Sequence, residues 1–298
     1  MKIAFAANKW EHKGEKVWTY ADCMVSDLES REGIEVTEVG KDRLTPEEYA
    51  KFDLLIDVDS GRDTKGEYKW HLAEPVNIPS VLYLVDSHGH PDLHQSLSIH
   101  ADHVFFAVWA KRELFNGHSS EYWTPNFTDK HWFNPGYKKL SPQFDVGFFG
   151  SKHGLDRTKP LEALCKIDGW SSDIRQVNKK GKPQWPHTAE AMGNCKVLFN
   201  HGQKHDDPNL RVIESMALNI PLITPNDPRS GIGYVFEPWQ DFIPYEAYSY
   251  DGLQERLRFA LDTHIEAAAE IATNAYNKVM DEHLTEHRIN HILEVVNA

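Results

Sequence analysis

Residues 208–224, Pro208-Asn-Leu-Arg-Val-Ile-Glu-Ser-Met-Ala-Leu-Asn-Ile-Pro-Leu-Ile-Thr224, read as an amphipathic helix, a tight turn and a buried strand. Asp206 and Glu214 bracket the start of that helix with seven residues between them. A glutamate early in a helix is suited to accept hydrogen bonds from both hydroxyls of a ribose, while the free N–H groups of the helix N-terminus face an anion. The plainer alternative is an ordinary αβ unit capped by solvent, with Glu214 complementing the helix dipole.

Around this unit the chain has 298 residues, room for one large domain or two of ordinary size. Apolar residues make up 40% and charged residues 26%, the balance of a water-soluble globular protein. No run approaches the roughly 20 apolar residues of a membrane span. Met1–Asn8 is too short for a signal peptide and reads as a first strand. Cys23, Cys165 and Cys195 are widely spaced and odd in number, which points to reduced thiols and a cytoplasmic location. With 32 basic and 45 acidic residues the net charge is −13, which disfavours a protein that grips nucleic acid by counterion release. A local basic groove stays open, with Arg175-Gln-Val-Asn-Lys-Lys-Gly-Lys182 as its best candidate, but the plainer reading of that run is a solvated loop.

Strand and helix signals alternate, which implies a doubly wound α/β sheet. Strands are expected at Lys2–Ala7, Ile34–Val39, Phe52–Val58, Pro79–Val85 and His103–Ala107, with helices at Trp18–Glu29 and Asp92–Ala101. Trp123–Gly136 holds two prolines and little periodicity, as a linker should. The grammar then restarts, with strands at Phe144–Gly150, Cys195–Asn200 and Pro221–Thr224 and helices at Pro160–Lys166, Asn209–Leu218 and Leu253–Asp262. Glu266–Ala298 is largely helical. The domains read as 1–135, 136–265 and a helical segment 266–298 that packs back on the first.

A second chemical signal is Asp145-Val-Gly-Phe-Phe-Gly-Ser-Lys-His-Gly-Leu-Asp-Arg157. A glycine turn after a parallel strand lets backbone amides approach a pyrophosphate, and an arginine neutralises its charge. The run is neither a Walker loop nor a dinucleotide fingerprint; a surface β–α loop is the alternative. A third is Leu84-Val-Asp-Ser-His-Gly-His-Pro-Asp-Leu-His94, at the end of a strand, where open α/β sheets bind ligands. Asp86 and His88 there suit proton transfer from a hydroxyl. The rival readings are a metal site from His88, His90 and His94, or passive roles for the histidines.

These segments together carry a resemblance. Val146-Gly-Phe-Phe-Gly-Ser151 with Arg157, Cys195-Lys-Val-Leu-Phe-Asn-His201 and Asn209-Leu-Arg-Val-Ile-Glu-Ser-Met-Ala217 are similar, in order and spacing, to motifs of CgeB-like (spore-maturation-type) GT-B glycosyltransferases. The acid-x7-Glu pair and the Trp123–Gly136 passage also resemble GT-B motifs. The likeness covers about residues 144–225 well and the N-terminal half loosely. Asn219 stands where the family has glycine, and Asp206 is one methylene shorter than the usual glutamate.

The resemblance implies a GT-B fold, two Rossmann-like domains facing a central cleft, and transfer of a sugar from a nucleotide diphosphate sugar. It implies donor binding by Gly150, Ser151, Arg157, Asn200, His201, Asp206, Arg211 and Glu214, and catalysis on the acceptor side by Asp86 and His88. No metal or cofactor is implied, since arginines would neutralise the leaving diphosphate. The acceptor is open between a protein, a glycan and a modified DNA base. Two other classes stay open: a catalytically idle nucleotide- or partner-binding protein on the same fold, and a hydrolase or epimerase.

Overall fold

The computed structural model describes residues 1–7, 11–12, 15–16, 19–40, 42–59, 70–85, 90–150, 160–162, 164–165, 169–176, 185–202, 208–246 and 252–298. The chain divides into two compact units, Met1–Pro125 with Thr285–Ala298, and Asn126–Leu284. The first division thus falls inside the proline-containing passage 123–136, and residues 266–298 are shared between the units.

The first unit is built on β1 (Lys2–Ala7), β4 (Glu35–Val39), β5 (Leu54–Asp59), β6 (Ser80–Leu84), β7 (His103–Phe106) and β8 (Glu121–Trp123). Two-residue strands β2 (Glu11–His12) and β3 (Glu15–Lys16) form a small antiparallel pair. The main sheet is parallel in the order β4-β1-β5-β6-β7-β8. Every residue of β5 and β6 is buried, as expected of strands covered on both faces. Ala4, Ala6, Leu55, Leu82, Leu84, Val104 and Phe106 share one apolar cluster. Helix α1 (Tyr20–Glu29) starts at Thr19 with a capping box to Asp22, and buries Met24 and Leu28. Helices α2 (Pro46–Tyr49) and α3 (Pro91–Ser98) follow, each with proline in its first turn.

The second unit is a parallel sheet of β9 (Phe144–Gly150), β10 (Ser172–Gln176), β11 (Cys195–Phe199), β12 (Leu222–Pro225) and β13 (Ile243–Tyr245), in the order β10-β9-β11-β12-β13. Around it run α4 (Trp185–Gly193), α5 (Leu210–Ala217), α6 (Ile232–Val235), α7 (Leu253–Arg258) and α8 (Ile265–Glu282). Val146, Phe148, Val197, Phe199, Ile223 and Ile243 pack with Leu253, Leu257 and Ile271. The last helix, α9 (Thr285–Asn297), belongs to the first unit and contributes the fully buried Ile289 and Ile292.

Several elements differ from the sequence reading. Arg175 lies in strand β10 rather than a loop; as a sheet edge, Ser172–Gln176 needs no continuous apolar run. The helix expected over Leu253–Asp262 ends as an α-helix at Arg258 and continues as a π-helical turn, Phe259–Thr263. Asn219 adopts φ +55°, the left-handed turn that ends α5, so asparagine performs there what glycine does in the resembling motif. All three cysteines are free thiols, Cys23 and Cys195 buried and Cys165 exposed. No helix among the described residues is long and apolar enough to cross a membrane.

Candidate functional site

In the second unit the chain leaves β9 for the edge strand β10 and then returns to β11 on the other side of β9. The strand order therefore reverses between β9 and β11, and open α/β sheets bind ligands at the carboxyl ends of the strands at such a point. Gly150 ends β9, and Asn200 and His201 follow β11 directly, so three of the residues named from the sequence stand at this switch point.

Asn200 is 3% exposed and ties the ends of these elements together. Its Nδ2 donates to Thr224 Oγ1 at 3.0 Å, and its Oδ1 accepts from Asn209 Nδ2 at 3.3 Å. Asn209 is the N-cap of α5, its Oδ1 accepting from the backbone N–H of Arg211 and Val212. One asparagine pair thus fixes the helix N-terminus beside the end of β11. Behind it, Asn126 Nδ2 donates to Pro208 O at 3.0 Å. His201 is buried, and its Nδ1 is bonded to the hydroxyl of Tyr245 at the end of β13.

Glu214 lies on the second turn of α5, 2% exposed, with its carboxylate bonded to the Arg211 guanidinium. Burial pushes its carboxyl up to about 7, and the charge and hydrogen bond of Arg211 only partly counter that. The structure therefore pairs two residues that the sequence reading gave separate tasks, diphosphate for Arg211 and ribose for Glu214. Buried polar groups at a helix N-terminus, a cation and a carboxylate near neutrality form a set able to hold an anion and a pair of hydroxyls.

Ser151, Arg157 and Asp206 lie outside the described residues, as do Asp86 and His88. Of the three imidazoles of the rival metal site, His90 is exposed at the start of α3 and His94 is buried against Asp59, its Nε2 3.3 Å from Asp59 Oδ2. Among the described residues no three metal-ligating side chains come together. Asp59 ends β5, beside β1 at the point where the first unit's strand order reverses. This buried acid–imidazole pair escaped the sequence reading, because nothing local links residues so far apart. Tyr245 was missed for the same reason. Asn209, by contrast, carries a legible signal, a capping residue immediately before an apolar helix.

The family described as "Glycosyl transferase-like" matches residues 130–294, more than half of the chain. The chain belongs to this glycosyl transferase-like family. No curated protein sequence matches it. Among solved structures it is similar to sucrose-phosphate synthase from Thermosynechococcus elongatus, at TM-score 0.68 and 12% identity over 99% of this chain and 98% of that one. HepE from Anabaena, solved in complex with UDP and glucose, gives TM-score 0.68 and 13% identity over 100% and 99% of the two chains. A glycosyltransferase from Rickettsia africae gives TM-score 0.60 and 11% identity over 99% and 97%. At such identities the likeness is one of fold. It makes this member of the glycosyl transferase-like family a GT-B protein of two parallel-sheet, Rossmann-like units.

Proposed function

We propose that the protein transfers a sugar from a UDP-sugar, with the donor held at the carboxyl ends of β9 and β11. The observation that carries the reading is the pair of buried Glu214 and half-buried Arg211 on α5, whose N-cap Asn209 is bonded to Asn200 at the switch point of a glycosyl transferase-like chain. The UDP and glucose of the HepE complex support uracil as the base. In this reading Glu214 accepts from the ribose hydroxyls. Gly150 and Ser151 bring backbone amides to the diphosphate, and His201 and Asp206 meet donor sugar or phosphate. Arg157 and Arg211 neutralise the leaving diphosphate in place of a metal. Asp86 and His88 serve the acceptor, a protein, a glycan or a modified DNA base. Within the family the motifs of residues 144–225 favour the CgeB-like branch, and the free thiols favour the cytoplasm.

Thermal stabilisation by UDP, GDP, ADP, CDP, TDP and their sugars tests the donor. A ligand at 100 times its dissociation constant adds about 2.7 kcal/mol, a readable shift. Stabilisation by UDP and UDP-sugars is the expected result; a chain that ignores every nucleotide is not a donor-binding transferase. Release of free sugar at a rate unchanged by any added acceptor would instead mark a hydrolase.

A further inference from the structure

Helix α4 packs on β9 and β11, and a groove of about 730 Å³ runs beside it in the second unit. Its lining from α4 is a single stripe, His187, Glu190 and Ala191, with Asn194 a turn further on. At 1.5 Å per residue that stripe extends about 10 Å. Arg175 of the edge strand β10 and Lys139 of the segment leading to β9 complete the set used here. Polar groups from three separate elements thus converge on one concave surface, of the size that small-molecule sites have.

The guanidinium of Arg175 is held in place. Its Nε donates to the two carboxylate oxygens of Asp173 at 2.8 and 3.0 Å, and Nη2 reaches the same group at 2.8 Å. The ring of Phe149 lies 5.9 Å from the guanidinium carbon. Asp173 is only 11% exposed in its side chain, whereas Arg175 is 49% exposed, and Nη1 has no partner among the described residues. One amino group of the fork is therefore left to donate outward from a fixed position.

Lys139 Nζ is 3.8 Å from Glu190, with both side chains about half exposed. Exposed pairs of this kind are weak, so either partner can turn to a ligand. His187 is exposed and makes no hydrogen bond, ion pair or ring contact among the described residues. Guanidinium, ammonium and imidazole together call for an anionic oxygen. Glu190 calls for hydroxyl donors close to that anion, and it would repel a string of phosphates. The net charge of −13 weighs against nucleic acid as well. Acid groups spaced among hydroxyls, on a ligand longer than a single ion, are the chemistry of an acidic saccharide.

We infer that the groove between α4 and β10 is a binding site for an acidic saccharide, Arg175 taking a carboxylate and Lys139 with Glu190 taking hydroxyls. None of the residues assigned to the nucleotide donor lines it, so the inference stands apart from the donor reading.

The test is titration calorimetry on the full-length chain with a trisaccharide of uronic acids. Its methyl ester serves as the uncharged control, and a single-stranded oligonucleotide as the rival polyanion. The acid should bind, the ester about tenfold more weakly, and the oligonucleotide more weakly than the acid. Arg175→Gln should cost about tenfold in affinity for the acid and leave UDP uptake as it was. His187→Ala, at an exposed side chain without contacts, should cost about threefold with the fold intact.

A chain that ignores the uronate, or takes acid and ester alike, overturns the inference. So does uronate affinity unchanged in both Arg175→Gln and His187→Ala, or an oligonucleotide bound more tightly than the saccharide. Loss of UDP uptake in Arg175→Gln would make the groove part of the donor site and overturn it as a separate one. Uronate uptake by a wild type that takes up no UDP strikes the donor reading alone and supports the groove.

Discussion

The Arg211 guanidinium is bonded to the Glu214 carboxylate one turn further along the same helix, and that carboxylate is almost wholly out of water. In the proposed function the pair couples a site that needs a negative acceptor to a carboxyl that burial has brought near neutrality. Ribose hydroxyls are best accepted by the ionised form.

Affinity for UDP-glucose should therefore rise as pH rises through about 7, the value for Glu214. UDP-glucose is the better probe than UDP because its diphosphate carries no terminal phosphate to titrate in the same range. Calorimetry between about pH 5 and pH 8.5 measures it, and Glu214→Gln should give weaker, flat binding. Affinity that is independent of pH in the wild type would remove Glu214 from the ribose.

The same shift has the opposite sign for folding. A carboxyl raised above its usual 4.5 stabilises the fold fully below that value and loses its contribution as pH climbs through about 7. Glu214→Gln should thus gain on the wild type between pH 5 and pH 8 by something of order 1 to 3 kcal/mol, seen in denaturant melts.

Asn219 at φ +55° predicts a clean pair of substitutions. Asn219→Ala should cost about 1 kcal/mol and Asn219→Gly little or nothing, since a β-carbon resists the left-handed turn, glycine has none, and only asparagine's short polar side chain offsets that resistance. Its carbonyl, which accepts from Lys138 Nζ at 2.7 Å, is kept in both variants. Equal melting temperatures for alanine and glycine would contradict this.

Two glycines elsewhere are fixed by space. A β-carbon on Gly147 would lie 2.5 Å from Cys195 Sγ and 2.7 Å from Phe149 Cε2, and one on Gly193 would run into the backbone carbonyl of Tyr137. Side chains can yield and a backbone carbonyl cannot do so cheaply. Gly193→Ala should therefore destabilise more than Gly147→Ala, both in the range of about 1 to 3 kcal/mol or above. Urea midpoints of the two variants give the order directly.

Helix α9 meets the first sheet through His291, whose ring stands edge-on to Phe105 at 5.2 Å and Tyr122 at 5.5 Å. Burial, then the charge of Arg288, hold this imidazole below its ordinary value against the pull of Glu294. His103, whose ring also meets Tyr122, is lowered by burial and by His118, against Asp102. A histidine depressed in the fold supports it above about pH 6.5 and withdraws that support as pH falls. Amide exchange along α9, corrected for its intrinsic pH dependence, should accelerate in mild acid, and His291→Phe should blunt the effect.

How much of this was legible in the sequence depends on how local each feature is. Phe144–Gly150 reads as a strand with a glycine end because its apolar run and its turn are contiguous, and the helix of α5 because its stripe and its Asn209 cap lie within a few residues. The Arg211–Glu214 pair was equally local, at a spacing that makes helix neighbours, yet assigning each residue to a ligand hid the bond between them. His201 with Tyr245, and Asp59 with His94, exist only once elements far apart in sequence are brought together, and no periodicity announces them. Strand β10 was hidden because an edge strand of mixed polarity looks like a loop.

The assignment of residues 285–298 to the first unit makes the second unit an insertion within it. During synthesis the first sheet can form early, but the helix that supplies Ile289 and Ile292 to its core emerges only after all of 126–284 has been made. The earlier-made unit is thus the later one to be finished, and its half-covered sheet has to wait exposed while the other folds. A fragment cut at the linker would inherit that unfinished state permanently, so expressing the N-terminal half alone would yield an aggregating chain rather than a domain.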